Sequence, residues 1–292
     1  MTPSLKKLIS NQLIVDKTLK KYSLIIGQNP SKGARSPALW NSTFKKYGIS
    51  CKMYPADVKK KNFKNFIKLL VKDKNFLAAA ITNPYKEEIY EIFKNKSSKL
   101  AKKIKSGNCL FKKKNFFYLT NTDAEASFVA LDNRFKIKKK NSILILGYGG
   151  VGKAVCSAFD LYSHKSTKIY IATRKNRYKT KNSKLTFINW ENINDFIDKI
   201  NICINCTTLG FQKIKQSPLN INQIKKLSKN TILYDVIYNP VETNFLKLGK
   251  QMKLKTLNGV DMNLLQAVIA FNLSNDIKDK KKTTRIMKKV LF

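Results

Sequence analysis

The sequence predicts a two-domain α/β chain, and three observations carry that expectation. Short apolar runs of strand length alternate with longer stretches of helical pattern, as in parallel sheets covered by helices. A fresh series of such runs opens at Ser142–Leu146 and feeds a glycine-rich turn, Gly147-Tyr148-Gly149-Gly150-Val151-Gly152. At 292 residues, with 43% hydrophobic and 11% aromatic residues, the chain can also bury two separate cores.

Residues 1–21 place Lys6, Lys7, Lys17, Lys20 and Lys21 around short apolar patches. They read as an amphipathic N-terminal extension without the apolar stretch or cleavage site of a secretory signal. Residues 22–27 form the first expected strand, followed by the turn-rich Asn29-Pro30-Ser31-Lys32-Gly33. A helix then begins with Ser36 as its N-cap and Pro37 at the first helical position. Further strands are expected over 51–54 and 76–82, and Lys86 opens a helix just after Pro84. In the second series, strands are expected over 142–146, 168–173, 185–189, 200–205 and 231–235. Helical patterns cover 153–162, 262–273 and 283–290. The block 126–260 is thus flanked on both sides. Residues 22–125 and 261–292 are expected to form one discontinuous open α/β domain, the C-terminal helices returning to it.

No run of 18 apolar residues is present, which excludes an obvious membrane-spanning helix. The cysteines Cys51, Cys109, Cys156, Cys203 and Cys206 are odd in number and accompany no secretory signal. That argues for reduced thiols and a cytoplasmic chain. Cys203 and Cys206 lie in an apolar run and read as buried strand residues. With His164 the single histidine, neither a metal site nor a Ser-His-Asp triad is expected. The formal charge is +40, yet the lysines spread over the whole chain, as at 59–61, 112–114, 138–140 and 280–282. A nucleic-acid binder would have such a balance, but no recognition-helix, zinc-finger or RNP pattern accompanies it. A positive field also attracts small anions, such as a carboxylate substrate or a phosphorylated cofactor.

A G-x-G-x-x-G after an apolar strand and before a helix is the context of a Rossmann dinucleotide turn. Gly147 allows the tight turn and Gly149 the approach of a pyrophosphate. Gly152 allows close helix–sheet packing, and Gly150 and Val151 complete the loop before the helix N-terminus. The second strand of this series ends in Ala172-Thr173-Arg174-Lys175-Asn176-Arg177, without a carboxylate. An acid there would bond ribose hydroxyls and repel a 2′-phosphate, whereas Arg174 can stack on adenine and pair with that phosphate. Thr173, Arg174 and Lys175 therefore point to NADP, against the plainer reading of two more surface cations.

Other segments form an ordered set. Asn29-Pro30 precedes Arg35-Ser36-Pro37; then come Ile81-Thr82-Asn83-Pro84-Tyr85-Lys86 and Asn121-Thr122-Asp123. After the glycine turn follow Asn205-Cys206-Thr207-Thr208-Leu209-Gly210, Tyr234-Asp235-Val236-Ile237-Tyr238-Asn239-Pro240, and Gly259, Met262 and Gln266-Ala267. From residue 22 onward this order resembles the shikimate dehydrogenase family. The resemblance implies hydride transfer between NADPH and 3-dehydroshikimate, giving shikimate, in aromatic amino-acid precursor synthesis. It makes Lys86 the general acid/base, with Asp123 beside it; burial would lower the lysine pKa and the carboxylate would raise it. It places Ser36 and Tyr238 at the substrate carboxylate, and Thr82, Asn108 and Gln266 at the ring hydroxyls. Thr207 and Gly259 join the cofactor set, Gly259 where a side chain would block the nicotinamide. The implied partner is a small cyclic polyol carboxylate, bound by a monomer or homodimer. Departures are Ala34 for the first serine of S-x-S, Ala80 for an asparagine, Cys109 for a threonine and Ala124 for a glycine. One lost neutral hydrogen bond weakens binding by about 0.5–1.5 kcal/mol, so quinate or aminoshikimate are alternative substrates. A basic nucleic-acid-binding protein and an inactive NADP-binding paralogue are the readings from other classes.

Overall fold

The structure, a computed structural model, describes residues 1–137, 141–174, 182–211 and 215–291. It holds two compact units, Met1–Thr122 with Leu264–Phe292, and Asp123–Asn263. The first runs through α1 (Pro3–Lys6), β1 (Lys21–Gly27), α2 (Ser36–Lys46), β2 (Cys51–Asp57) and α3 (Lys60–Leu70). It continues with β3 (Phe76–Ile81), α4 (Lys86–Phe93), α5 (Lys99–Ile104), β4 (Cys109–Lys113) and β5 (Phe116–Thr120). The second carries α6 (Thr122–Phe135), β6 (Ser142–Leu146), α7 (Gly150–Tyr162), β7 (Lys168–Thr173), β8 (Leu185–Asn189) and β9 (Ile202–Asn205). Then follow α8 (Ile221–Lys225), β10 (Ile232–Asp235), α9 (Asn244–Gln251) and β11 (Lys255–Leu257), while α10 (Val260–Asn275) opens in this unit and continues, with α11 (Lys280–Leu291), in the first.

Among the described residues the first sheet has the order β2-β1-β3-β4-β5. β1 pairs parallel with β2 and β3, whereas β4 and β5 form an antiparallel hairpin. The sheet is therefore mixed, where the sequence led us to expect parallel strands alone. The hairpin escaped notice because the exposed lysines that end β4 read as surface charge, and β5 is buried only at alternate residues. Central β1 is buried on both faces from Tyr22 to Gly27, which fits its unbroken apolar run. One face packs Tyr22, Leu24 and Ile26 against Phe63 and Phe66 of α3 and Ile89 of α4. The other packs Ile25 and Met53 against Trp40 and Phe44 of α2 and Phe271 of α10. Trp40 meets Phe271 edge-on at 5.2 Å, and the Tyr47 hydroxyl lies 3.0 Å from that of Thr283, so the C-terminal helices do return to this unit.

Two local expectations need correction. Ser36 is the first helical residue of α2; Arg35, already at φ −77° and ψ −24°, occupies the cap and makes no side-chain cap bond. Residues 1–21 are not a separate appendage. Leu5 is fully buried in the α3–α4 core, and Ile9 bridges Val58 at the end of β2. The Ser10 N–H donates to the Asp57 carbonyl at 2.7 Å. Asn11 Oδ1 accepts the Asp57 N–H at 2.7 Å, and its Nδ2 donates to the Pro55 carbonyl at 3.2 Å. This segment covers the outer edge of β2, an edge that would otherwise offer unpaired backbone groups.

The second sheet has the order β11-β10-β9-β6-β7-β8, with every pair parallel. Numbered from β6 this is strand order 3-2-1-4-5-6, whose switch point lies between β6 and β9. Burial of Leu144 and Leu146 with Cys203, Leu233, Phe245 and Leu246 fills one of its faces.

Asn11→Ala removes two partly buried hydrogen bonds to β2. Urea denaturation should show a loss of about 1–3 kcal/mol; unchanged stability would mean that the N-terminal segment contributes nothing to this edge.

Candidate active site

At the switch point of the second unit, Gly147 adopts φ +93°, the left-handed region in which glycine is favoured. A Cβ added to Gly152 would overlap the Gly147 carbonyl oxygen, so the first turn of α7 can sit this close to β6 only with glycine there. Nothing lies within 4 Å of a Cβ position on Gly149 or Gly150. The turn thus keeps open space in front of the N-terminus of α7, where Gly149 is the N-cap and the first turn carries no acid. Open space, backbone N–H groups and a helix N-terminus together fit a pyrophosphate. Gly147, Gly149, Gly150, Val151 and Gly152 therefore form one turn with the open shape of a phosphate cradle. Thr173 is buried at the end of β7, and Arg174 is exposed directly after it. Lys175, the remaining residue of that set, lies outside the described residues.

Thr207 lies against this cradle from the β9 side: a Cβ on Gly147 would come within 2.9 Å of its Cγ2. Its hydroxyl donates to Asn205 Oδ1 at 2.7 Å and accepts the Leu209 N–H at 3.1 Å. Thr207 is thus a wall of the turn, with its hydroxyl engaged in its own loop. Asn205 also accepts the Thr207 N–H at 3.0 Å. Its Nδ2 donates to the Leu209 carbonyl at 3.1 Å and to Asp235 Oδ1 at 3.2 Å. Asp235, with no exposed surface, further accepts the Ile237 N–H at 3.0 Å and the Thr243 hydroxyl at 2.7 Å. Burial holds its carboxyl above the usual carboxylate range, and the bonds from Thr243, Ile237 and Asn205 oppose that rise. The next residues reach Tyr238, half-buried, while Gly259 donates its N–H to the Ile237 carbonyl at 2.9 Å. A Cβ on Gly259 would overlap the Val236 carbonyl, so backbone contact is already sufficient to require glycine here.

In the first unit, the strand order places the switch point between β1 and β3. Gly27 ends β1 so close to Thr82 that a Cβ would overlap the threonine methyl. The Thr82 N–H donates to the Ile26 carbonyl at 2.9 Å, and its carbonyl accepts the Tyr85 N–H at 3.1 Å. Tyr85 is buried, stacked on Phe63 at 4.1 Å, and its hydroxyl donates to the Val58 carbonyl. That anchor fixes the start of α4, and with it Lys86, whose carbonyl accepts the Gly107 N–H at 2.8 Å. The neighbouring Asn108 is buried; its Oδ1 accepts the Thr122 N–H at 2.7 Å and its Nδ2 donates to Thr122 Oγ1 at 3.1 Å. Asn108 therefore holds the residue that precedes Asp123. Asp57, at the end of β2, accepts the Ser31 N–H at 2.9 Å and its hydroxyl at 2.5 Å, pinning the loop that leads to Ser36. Gln266 lies on α10, beside Ala267 of the core shared with α2.

Lys86, Thr82, Asn108, Ser36 and Gln266 thus belong to the first unit, and Asp123, which opens the second in the first turn of α6, belongs with Tyr238 and the cofactor set. Sequence reasoning missed Asp57, Asn205, Asp235 and Thr243. The available signal was an acid ending an apolar run, at Asp57 and again at Asp235. Among the described residues no cluster of His, Cys, Asp and Glu could hold a metal, and His164 is exposed in a loop. Burial pushes the Cys203 thiol well up, as expected of an inert strand cysteine. No helix among the described residues is long and apolar enough to cross a membrane.

A parallel sheet in this order with a glycine turn at its switch point defines a Rossmann-type dinucleotide-binding domain. Residues 25–110 match the family described as shikimate dehydrogenase substrate binding domain. The chain is 34% identical to the shikimate dehydrogenase (NADP(+)) of Pelagibacter ubique, covering 87% of this chain and 92% of the relative. It is 31% identical to that of Clostridium beijerinckii, over 89% and 94%. The crystal structure of the Thermus thermophilus enzyme, in complex with NADP(H) and shikimate, shares the fold at TM-score 0.75 and 21% identity, over 92% of this chain and 99% of that one. The chain belongs to the shikimate dehydrogenase family and is an oxidoreductase.

Gly152→Ala should lower stability by about 1–3 kcal/mol, because the methyl meets backbone that cannot move aside. Gly150→Ala, with open space around it, should change stability by less than about 0.5 kcal/mol while weakening NADPH binding. Urea denaturation and a fluorescence titration separate the two; equal stability losses would contradict the assigned roles.

Proposed function

We infer that the chain is an NADP-dependent shikimate dehydrogenase, interconverting 3-dehydroshikimate and shikimate. The observation that carries this reading is the pinned start of α4, which sets Lys86 at the strand ends of a unit matching the substrate-binding domain. The relatives named above as NADP(+) enzymes support the cofactor, as does the exposed Arg174 at the end of β7. NADPH, when bound at the glycine turn, would supply the hydride that the ring carbonyl carbon takes up. Lys86 gives its proton to the carbonyl oxygen and recovers one in the reverse direction. Asp123 fixes the ammonium, and an oriented proton donor shortens the path to the transition state. Ser36 and Tyr238 hold the substrate carboxylate, while Thr82, Asn108 and Gln266 read the ring hydroxyls. Gly147, Gly149, Gly150, Val151 and Gly152 cradle the pyrophosphate, and Thr173, Arg174 and Lys175 take the 2′-phosphate side. Thr207 walls the turn and Gly259 leaves room for the nicotinamide.

Four substitutions favour a second reading of the polyol. Ala34, Ala80 and Cys109 each lack a polar group that the family's pattern places there, and Ala124 adds a methyl where that pattern has glycine, which relaxes the demand for shikimate over quinate or aminoshikimate. Absorbance of NADPH formed from NADP with all three acids decides between them; a faster rate with quinate would replace shikimate as the substrate.

Lys86→Ala should lower turnover by roughly 10²–10⁴-fold with NADPH affinity unchanged; steady-state kinetics with full turnover would remove Lys86 from the mechanism. Arg174→Asp should move the ratio of kcat/KM values from NADPH towards NADH by at least about tenfold. An unchanged ratio would overturn the phosphate-pairing assignment.

A further inference from the structure

We propose that Asp235 is a positioning residue that clamps the two loops carrying cofactor and substrate contacts of the second unit, a role resting on the dehydrogenase reading above. Asn205 and Asp235 are cross-strand partners at the last register position of β9 and β10. Both are fully buried. Among the described residues no cation is paired with this carboxylate; its bonds come from an amide, a hydroxyl and a backbone N–H. A buried charge held only by neutral donors opposes stability unless those donors are well placed. Its two oxygens divide the work. Oδ1 takes the Asn205 amide, which in turn fixes the N–H and hydroxyl of Thr207 against the glycine turn. The same oxygen takes the Ile237 N–H and shapes the turn on which Gly259 packs, one residue before Tyr238. Oδ2 takes Thr243, whose Cβ lies 3.2 Å from a Cβ position on Gly210, where the β9 loop closes at φ +96°.

The orientation of Asn205 depends on this acceptor. Its Oδ1 already serves two donors, so its Nδ2 must face outward to Leu209 and Asp235. Without an acceptor at Asp235 that amide loses its anchor, and the wall of the glycine turn and the Tyr238 turn loosen together. An asparagine at 235 retains the pattern: its oxygen meets the two N–H donors and its NH₂ meets Thr243, whose hydroxyl reverses to accept.

The test compares Asp235→Asn, Asp235→Ala and Thr243→Val in the full chain. It reads the Kd for NADPH by fluorescence titration and the KM for shikimate beside kcat. Asp235→Ala should raise both Kd and KM by about tenfold or more. Thr243→Val should raise both by about threefold, and Asp235→Asn should leave them within about twofold of the wild type. A role in folding alone would lower the melting temperature and the active fraction but leave both constants of the folded protein unchanged; that result overturns the proposal. If Asp235→Ala does not fold, Thr243→Val decides on the same constants. A wild type that binds NADPH but oxidises no polyol acid rejects the dehydrogenase reading, and the Kd comparison still decides the clamp. A wild type that binds no NADPH overturns both.

Discussion

No side chain fits between Gly152 and the carbonyl oxygen of Gly147, and the second unit is arranged around that contact. Because α7 already begins at Gly150, within the glycine turn, it presents its N-terminal N–H groups close to the end of β6 and not a turn further away. Parallel pairing of β6 with β9 then brings a second loop to the same point, and Thr207 closes the side of the turn. Close backbone approach, a helix terminus and a neighbouring strand end are what an anionic ligand needs, and each follows from strand order and one missing methyl group.

Polar groups at the strand ends of both units follow one pattern. An acid ends a strand, loses its exposure, and is matched by neutral donors from neighbouring segments: Asp57 by the N–H and hydroxyl of Ser31, Asp235 by Asn205, Ile237 and Thr243. These acids do not serve as surface charge in a chain of formal charge +40; they hold loops. The many lysines, by contrast, are mostly exposed and interspersed, so they raise the local concentration of anions without defining a site. Arg174 stands apart from them by its place directly after β7 and by the lack of a carboxylate in the residues that follow it.

Much of this was legible in the order of the residues. The strands of the second unit from Ser142 to Asp235 fall within a residue or two of expectation, because buried parallel strands are short, apolar and bounded by turn residues. The glycine turn was legible for the same reason: each glycine answers a separate steric demand. The β4–β5 hairpin and β11 were not, since half-exposed strands ending in lysines and a three-residue edge strand lack an apolar run. The helix start at Ser36 was misplaced by one residue because Pro37 is tolerated at either of the first two helical positions.

The sequence by itself determined the α/β class, the dinucleotide turn, the missing acid after β7 and the family, since all of these reside in local spacing and composition. Only the tertiary structure decided that the first twenty residues cover the edge of β2, that the first sheet is mixed, and that Asn205 and Asp235 meet. The reason is physical: local pattern encodes which face a residue buries, but partners thirty or more residues apart are chosen by strand pairing and register, which no short segment contains.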